Sequence, residues 1–415
     1  MSGPIARRLP WVVALVGGVG FVVLAAVLVP WQPVPGGMPA PAPASDVFTA
    51  AELARAEDYA GTTRLLGWAA LAISLLVSCL LGFTSLGTRL LGRRRLPWAV
   101  TVVGLVAVVL LVGRLATLPL AWLLQRRRVD YGLSTQGTAD WLLDQARGLG
   151  VAVVGTSIAL LVLVGCARRW RTWWPAVAAG ISALLVLVGS FVYPLLVEPL
   201  FNDFTSMPDG PLRSEILRLA DEEGVAVDDV LVADASRRTT TLNAYVSGFG
   251  GTRRVVVYDN LVDSQPEDQV LSVVAHELAH ARHDDVLVGT ALGAFGVVFG
   301  VGLLAAVVGA PGVRRRAGVS GMSDPRAVAL VLALLAVGSL VASPVENGIS
   351  RRIETRADVD ALEVTEDPEA FIALQRALAL RSLADPRPPA WSQFWFGSHP
   401  TVLQRVGLAR GSQRQ

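Results

Sequence analysis

Seven stretches of this chain are apolar over about the ~20 residues that a helix needs to cross a bilayer core of about 30 Å. They run approximately Trp11 to Pro30, Leu65 to Leu86, Trp98 to Leu124, Leu149 to Cys166, Ala176 to Pro199, Val286 to Ala310 and Ala327 to Val345. A soluble globule is thereby excluded, and 53% hydrophobic residues with only 17% charged agree with that exclusion. The 40 Gly and 24 Pro follow no triplet period, which removes collagen, and the apolar content removes disorder. A net charge of +2 gives no ground for a nucleic-acid partner. Cys79 and Cys166 lie inside apolar runs and read as small hydrophobes rather than a disulfide. The first run follows Arg7 and Arg8. It reads as a retained anchor rather than a signal peptide, because the Pro/Ala-rich stretch from Pro33 to Ala44 only weakly resembles a cleavage site.

Two segments are polar enough to fold outside lipid. Asn202 to Asp285 offers an amphipathic helix near Leu212 to Glu223, and β-branched runs at Val230 to Ala233 and Arg254 to Tyr258 that read as strands. The other begins at Asn347 and ends in an aromatic stretch, Trp391 to Phe396. Two spans separate them, so both emerge on one side and can form one domain. The expected organisation is 1–199 as a membrane region of five spans, 200–285 and 347–415 as the two parts of one catalytic domain, and 286–346 as two further spans. Arg114 falls within the third run. Either it lines an internal aqueous cavity, or that span is shorter and Arg114 lies near an interface.

The chain has only four histidines: His276, His280, His283 and His399. His276-Glu277-Leu278-Ala279-His280 places two imidazoles four residues apart, on one helical face, where both can reach one metal ion. Glu277 is turned about 100° round the helix, beside the metal's open position, where a general base for water belongs. A catalytic zinc takes three protein ligands, and the third is sought in Asn347 to Asp358. There Glu354 and Asp358 are again four apart. Glu354 is assigned as third ligand of one Zn2+ per chain, and Asp358 as an acceptor orienting a ligand histidine. Alone, that acidic pair reads as a solvated helix face; the zinc-binding helix changes the reading.

These residues resemble the type I CAAX prenyl proteases, over roughly Ala121 to Arg405. Pro199-Leu200-Phe201-Asn202 resembles that family's segment leaving the fifth span. Asn243-Ala244-Tyr245 with Gly248-Phe249 resembles its substrate strand, and Arg254 to Asn260 the strand after it. Ser350-Arg351-Arg352 before Glu354, with Ala357-Asp358, matches the third-ligand motif, and Ser398-His399-Pro400 with Arg405 the C-terminal block. The resemblance implies a mainly α fold: a seven-span membrane helical barrel around a water-filled chamber, with a gluzincin-type zinc metallopeptidase domain and a small β-sheet. Asp285 stands where family members often carry a histidine. The charged insertion of eukaryotic members before the zinc helix is absent, as in a compact bacterial homologue.

Asn243, Ala244 and Tyr245 read as an exposed sheet edge that can hold a peptide extended by backbone hydrogen bonds. His399, placed at the site by the resemblance, is assigned to the oxyanion of the scissile carbonyl. Arg405 is read as holding the same loop or a nearby carboxylate, and His283 as a surface residue or one behind the ligands. The expected activity is peptide-bond hydrolysis on hydrophobic or membrane-tethered peptides, with peptide or protein substrates and the lipid bilayer as partners and the oligomeric state open. The competing readings are a heat-shock-type membrane quality-control metallopeptidase, and a transporter or scaffold with a structural zinc.

Arg7, Arg8, Arg89, Arg93 to Arg95, Arg168, Arg169, Arg171, Arg314 to Arg316 and Arg326 fall in short loops on one side, which the positive-inside rule makes cytoplasmic. The catalytic segments of this multi-pass plasma-membrane protein then face outward, opposite to the side understood for eukaryotic relatives.

Overall fold

The computed structural model describes residues 4–90 and 96–413, so Arg93 to Arg95 lie outside the described residues. The membrane region opens with α1 (Pro4–Leu28), α2 (Ala50–Phe83), the single turn α3 (Leu86–Arg89), α4 (Trp98–Asp130), α5 (Thr138–Arg169) and α6 (Trp174–Leu196). The chain then leaves the bundle through β1 (Phe204–Ser206), α7 (Pro211–Glu222), β2 (Asp229–Ala233), β3 (Ala244–Ser247), β4 (Arg254–Tyr258), α8 (Asp259–Ser264) and α9 (Glu267–Arg282). It re-enters as α10 (Asp285–Gly309), turns at α11 (Pro311–Ala317) and returns as α12 (Val328–Thr365). It ends in α13 (Pro368–Ser382), α14 (Ala390–Phe396) and α15 (Val402–Ser412). Among the described residues, seven helices are long and apolar enough to cross a bilayer, matching the seven runs.

Small residues let the first and sixth spans approach closely. A Cβ on Gly17 would lie 2.2 Å from the Phe299 nitrogen, and one on Gly302 2.3 Å from the Ala14 nitrogen. Contacts this short require glycine, so α1 is built into the bundle through α10. Cys79 and Cys166 are both free thiols. Five spans, α1, α5, α6, α10 and α12, line an open cavity of about 2810 Å3, whose wall also includes Glu277, His280 and Glu354. Arg114 is half-buried midway along α4, which contributes nothing to that wall, and it makes no ion pair among the described residues. It therefore neither lines this cavity nor sits near a helix end.

The sheet has the order β1-β2-β4-β3, with β2 and β4 parallel and the other pairs antiparallel, so one side of β3 is a free edge. Alternation along the strands divides the faces. Ala244, Val246, Val255 and Val257 pack with Val270, Val274 and Leu278 of α9, whereas Tyr245 and Val256 pack with Phe204 on the other face. Helix α12 runs unbroken across the boundary expected between residues 346 and 347, carrying one continuous helix from the bilayer into the catalytic segment.

The Pro-rich loop after α1 lies against the C-terminal helices. Ala42 N donates to Leu403 O at 2.9 Å, and a Cβ on Gly407 would lie 2.4 Å from Ala40 O. Two ion pairs tie the same region down, Arg376 to Glu52 at 2.5 Å and Arg410 to Asp46 at 3.2 Å. The loop and the catalytic segments thus share one side of the bundle.

Candidate active site

Helix α9 follows Pro266 and carries Glu267 and Asp268 in its first turn, where carboxylates favour the positive end of the helix dipole. Val270, Val274 and Leu278 bury one face against the sheet. The opposite face turns His276 and His280 toward α12. Their Nε2 atoms are 3.2 Å apart and the ring planes are perpendicular. Glu354 Oε2 lies 3.3 Å from His276 Nε2, and Glu354 Oε1 3.7 Å from His280 Nε2. One donor atom from each of these three residues falls within 4.8 Å of the others.

A cation suits this donor set. Glu354 Oε2 is buried and makes no hydrogen bond, although it lies 3.3 Å from both His276 Nε2 and His399 Nε2. A buried carboxylate oxygen without a hydrogen bond is costly unless something positive occupies the space beside it. Each histidine also uses its other nitrogen elsewhere. His276 Nδ1 is 3.0 Å from Asp358 Oδ1, and His280 Nδ1 is 2.9 Å from Asp285 Oδ2. With those nitrogens protonated, both Nε2 lone pairs face the same point.

Behind the histidines stand two arginines. Arg405 donates from Nε to Asp358 Oδ2 at 2.9 Å and from Nη2 to the other oxygen, while its guanidinium covers the Phe371 ring at 5.7 Å. Arg356 donates to Asp285 Oδ1. Burial alone would lower the His276 pKa, but the carboxylates of Asp358 and Glu354 beside its two ring nitrogens outweigh it and raise it. Burial pushes the Glu277 carboxyl up, and the neighbouring His276 and His280 draw it back.

His399 has a side chain 59% exposed and reaches Glu354 from the loop before α15. Ser398 Oγ is 2.9 Å from its Nδ1, and Gln393 donates to its carbonyl. His283 pairs with Asp360 at 2.6 Å, away from the donor set. Asn243 is exposed and its carbonyl accepts from Tyr258 N at 3.1 Å. Ala244 is buried toward α9, and Tyr245 stacks edge-on with Tyr258 on the far face of the sheet, where burial raises its pKa. From this strand and the turn after it, the cavity is lined instead by Val246, Gly248 and Phe249. Sequence reasoning gave no role to Asp285 and Arg356. The available signal was an acid five residues after the second histidine, just past a helix end.

Residues 206–412 match the model of peptidase family M48, and residues 37–203 match the CAAX prenyl protease N-terminal model of five membrane helices. A Bacillus subtilis relative, named as the uncharacterized metalloprotease YhfN, is 31% identical over 310 residues, covering 73% of this chain and 72% of that protein. The chain belongs to peptidase family M48. A rice CAAX prenyl protease 1 homolog (Oryza sativa subsp. japonica) is 26% identical over 66% of this chain and 65% of its own length. The CAAX prenyl protease 1 of Saccharomyces cerevisiae is 29% identical over 38% of this chain and 35% of its own. The crystal structure of S. mikatae Ste24p has the same fold, with a TM-score of 0.72 at 17% identity over 98% of this chain and 97% of that one.

The chain is therefore an integral, multi-pass membrane metallopeptidase of the CAAX prenyl protease group. The family implies a metal, typically zinc. Membership ends the transporter or scaffold reading, and the five-helix N-terminal match separates the chain from the heat-shock-type alternative.

Proposed function

We propose that this chain is a zinc endopeptidase in which His276, His280 and Glu354 hold one Zn2+ and whose substrates are hydrophobic or membrane-tethered peptides. The observation that carries the reading is the convergence of three donor atoms within 4.8 Å in the wall of a cavity of about 2810 Å3. The bound ion supplies a Lewis acid that polarises the scissile carbonyl and acidifies water. Glu277 accepts a proton from the attacking water and returns it to the leaving nitrogen as the C–N bond breaks. His399, exposed beside Glu354, donates to the carbonyl oxygen as charge builds there. Asp358 and Arg405 keep the His276 ring in its orientation. The free edge of β3 supplies backbone groups to an extended peptide, with Asn243, Ala244 and Tyr245 at its start. The apolar wall of the cavity favours hydrophobic or lipid-anchored chains.

The division into 1–199, 200–285, 286–346 and 347–415 is retained with one continuous helix across its last boundary. The arginine distribution favours a plasma-membrane protein whose catalytic side lies outside the cytoplasm. A reporter fused after Gln415 and active only outside supports that orientation; activity only in the cytoplasm overturns it.

Metal analysis and chelator-sensitive hydrolysis of membrane-tethered peptides test the chemistry. Purified protein should carry one zinc, and Glu354→Ala should lose it. Full zinc occupancy in Glu354→Ala removes Glu354 from the ligand set, and folded parent protein without zinc or hydrolysis ends the reading.

A further inference from the structure

The elbow between α9 and α10 brings an acid back to a histidine that a continuous helix would carry out of reach. Five residues along an α-helix are about 7.5 Å of rise and about 140° of turn, so Asp285 on an extended α9 would point away from His280. Instead α9 stops at Arg282, and Asp284 takes a left-handed conformation at φ 51°, which Asp tolerates better than most residues. The helix breaks there. Asp285, now the first residue of α10, sets Oδ2 2.9 Å from His280 Nδ1. Its other oxygen accepts from Arg356 of α12, and the Asp285 side chain is only 8% exposed.

We propose that Asp285, held by Arg356, is the positioning residue for His280, fixing the tautomer and ring orientation in which Nε2 faces the metal. The inference rests on the zinc reading above. It mirrors the arrangement at the other histidine, where Asp358 held by Arg405 meets His276 Nδ1. The two assemblies share α12. Glu354 and Asp358 lie on the face of that helix toward the donor set, while Arg356 and Asp360, four apart on another face, grip Asp285 and His283 of the elbow. A single helix thus carries one donor and anchors the orientation of both histidines.

A neutral elbow residue would leave His280 free to rotate or to hold its proton on Nε2, which opposes metal binding. The test is chelator competition for zinc on full-length protein in detergent, together with kcat and KM at saturating zinc. Asp285→Asn should weaken zinc about 10- to 100-fold and lower kcat more than it changes KM. Arg356→Gln should weaken zinc in the same direction by a smaller factor, and the double variant should bind no worse than Asp285→Asn alone, because the arginine acts through the carboxylate. Arg282→Gln is the control for plain structural damage. It breaks the Glu223 ion pair at the same helix end and should lower Tm without moving the zinc constant.

Unchanged zinc affinity in Asp285→Asn overturns the proposal, as does an equal loss in Arg282→Gln. Where Asp285→Asn fails to fold, unchanged affinity in Arg356→Gln overturns it and a loss there supports it. Parent protein without stoichiometric zinc overturns the zinc reading and this inference together, whereas zinc-loaded parent with an indifferent Asp285 overturns this inference alone.

Discussion

Around the donor set, polar side chains are held by partners from distant parts of the chain: Asp358 by Arg405 and Asp285 by Arg356. A few turns away on α12, Leu335 and Val341 line the cavity with 47% and 68% of their surface uncovered. The two regions use opposite physics. The site gains its geometry from dense, directional contacts that leave each ring one orientation, whereas the cavity wall gains volume from helices that stand apart around it and pack closely at points such as Gly17 and Gly302. Substitutions near the donor set should therefore register in chemistry or folding, and those in the wall should be tolerated.

The largest expected effect is at Glu277. Glu277→Gln preserves shape but cannot take the water's proton, so kcat should fall by about 10^2- to 10^4-fold while zinc content stays at the parent level. Near-parental turnover in a peptide hydrolysis assay would break the general-base assignment. His399→Ala should follow, with a loss of about 10^2- to 10^3-fold in kcat and a smaller change in KM. Because that side chain is 59% exposed, its Tm should match the parent, and a pure KM effect would recast it as a substrate-positioning residue.

The last prediction sharpens the contrast in stability alone. Leu278 is fully buried between α9 and the sheet, and Leu278→Ala should cost about 2–5 kcal/mol. Val341→Ala, on a 68% exposed residue that lines the cavity, should cost about 0.5 kcal/mol or less. Thermal unfolding in detergent reads the difference as a clear drop in Tm for the first and almost none for the second. Equal drops would mean that the wall is packed as tightly as the core.

The spans were legible because bilayer thickness imposes a length on apolar runs, and the seven found in the chain correspond to seven helices. The strands around Val230 to Ala233 and Arg254 to Tyr258 were legible from β-branched residues, although their parallel pairing was not. Register between strands distant in sequence depends on what packs across them, here α9 on one face. Tyr245 shows the same limit. Its motif reads as part of a substrate strand, and the pleat turns its ring to the face away from the cavity.

By itself the sequence determined a polytopic membrane protein and the face-sharing pairs His276/His280 and Glu354/Asp358, since helical spacing is a local property. Only the tertiary structure decided that the two pairs meet, that Asp285 returns to His280 through a left-handed Asp284, and that Arg356 and Arg405 stand behind the two carboxylates. Those contacts join residues up to 129 positions apart, as for Arg405 and His276, and no local pattern encodes such a distance. The folded bundle alone settles them, because breaking the helix at the elbow and running α12 unbroken out of the bilayer are what bring the groups together.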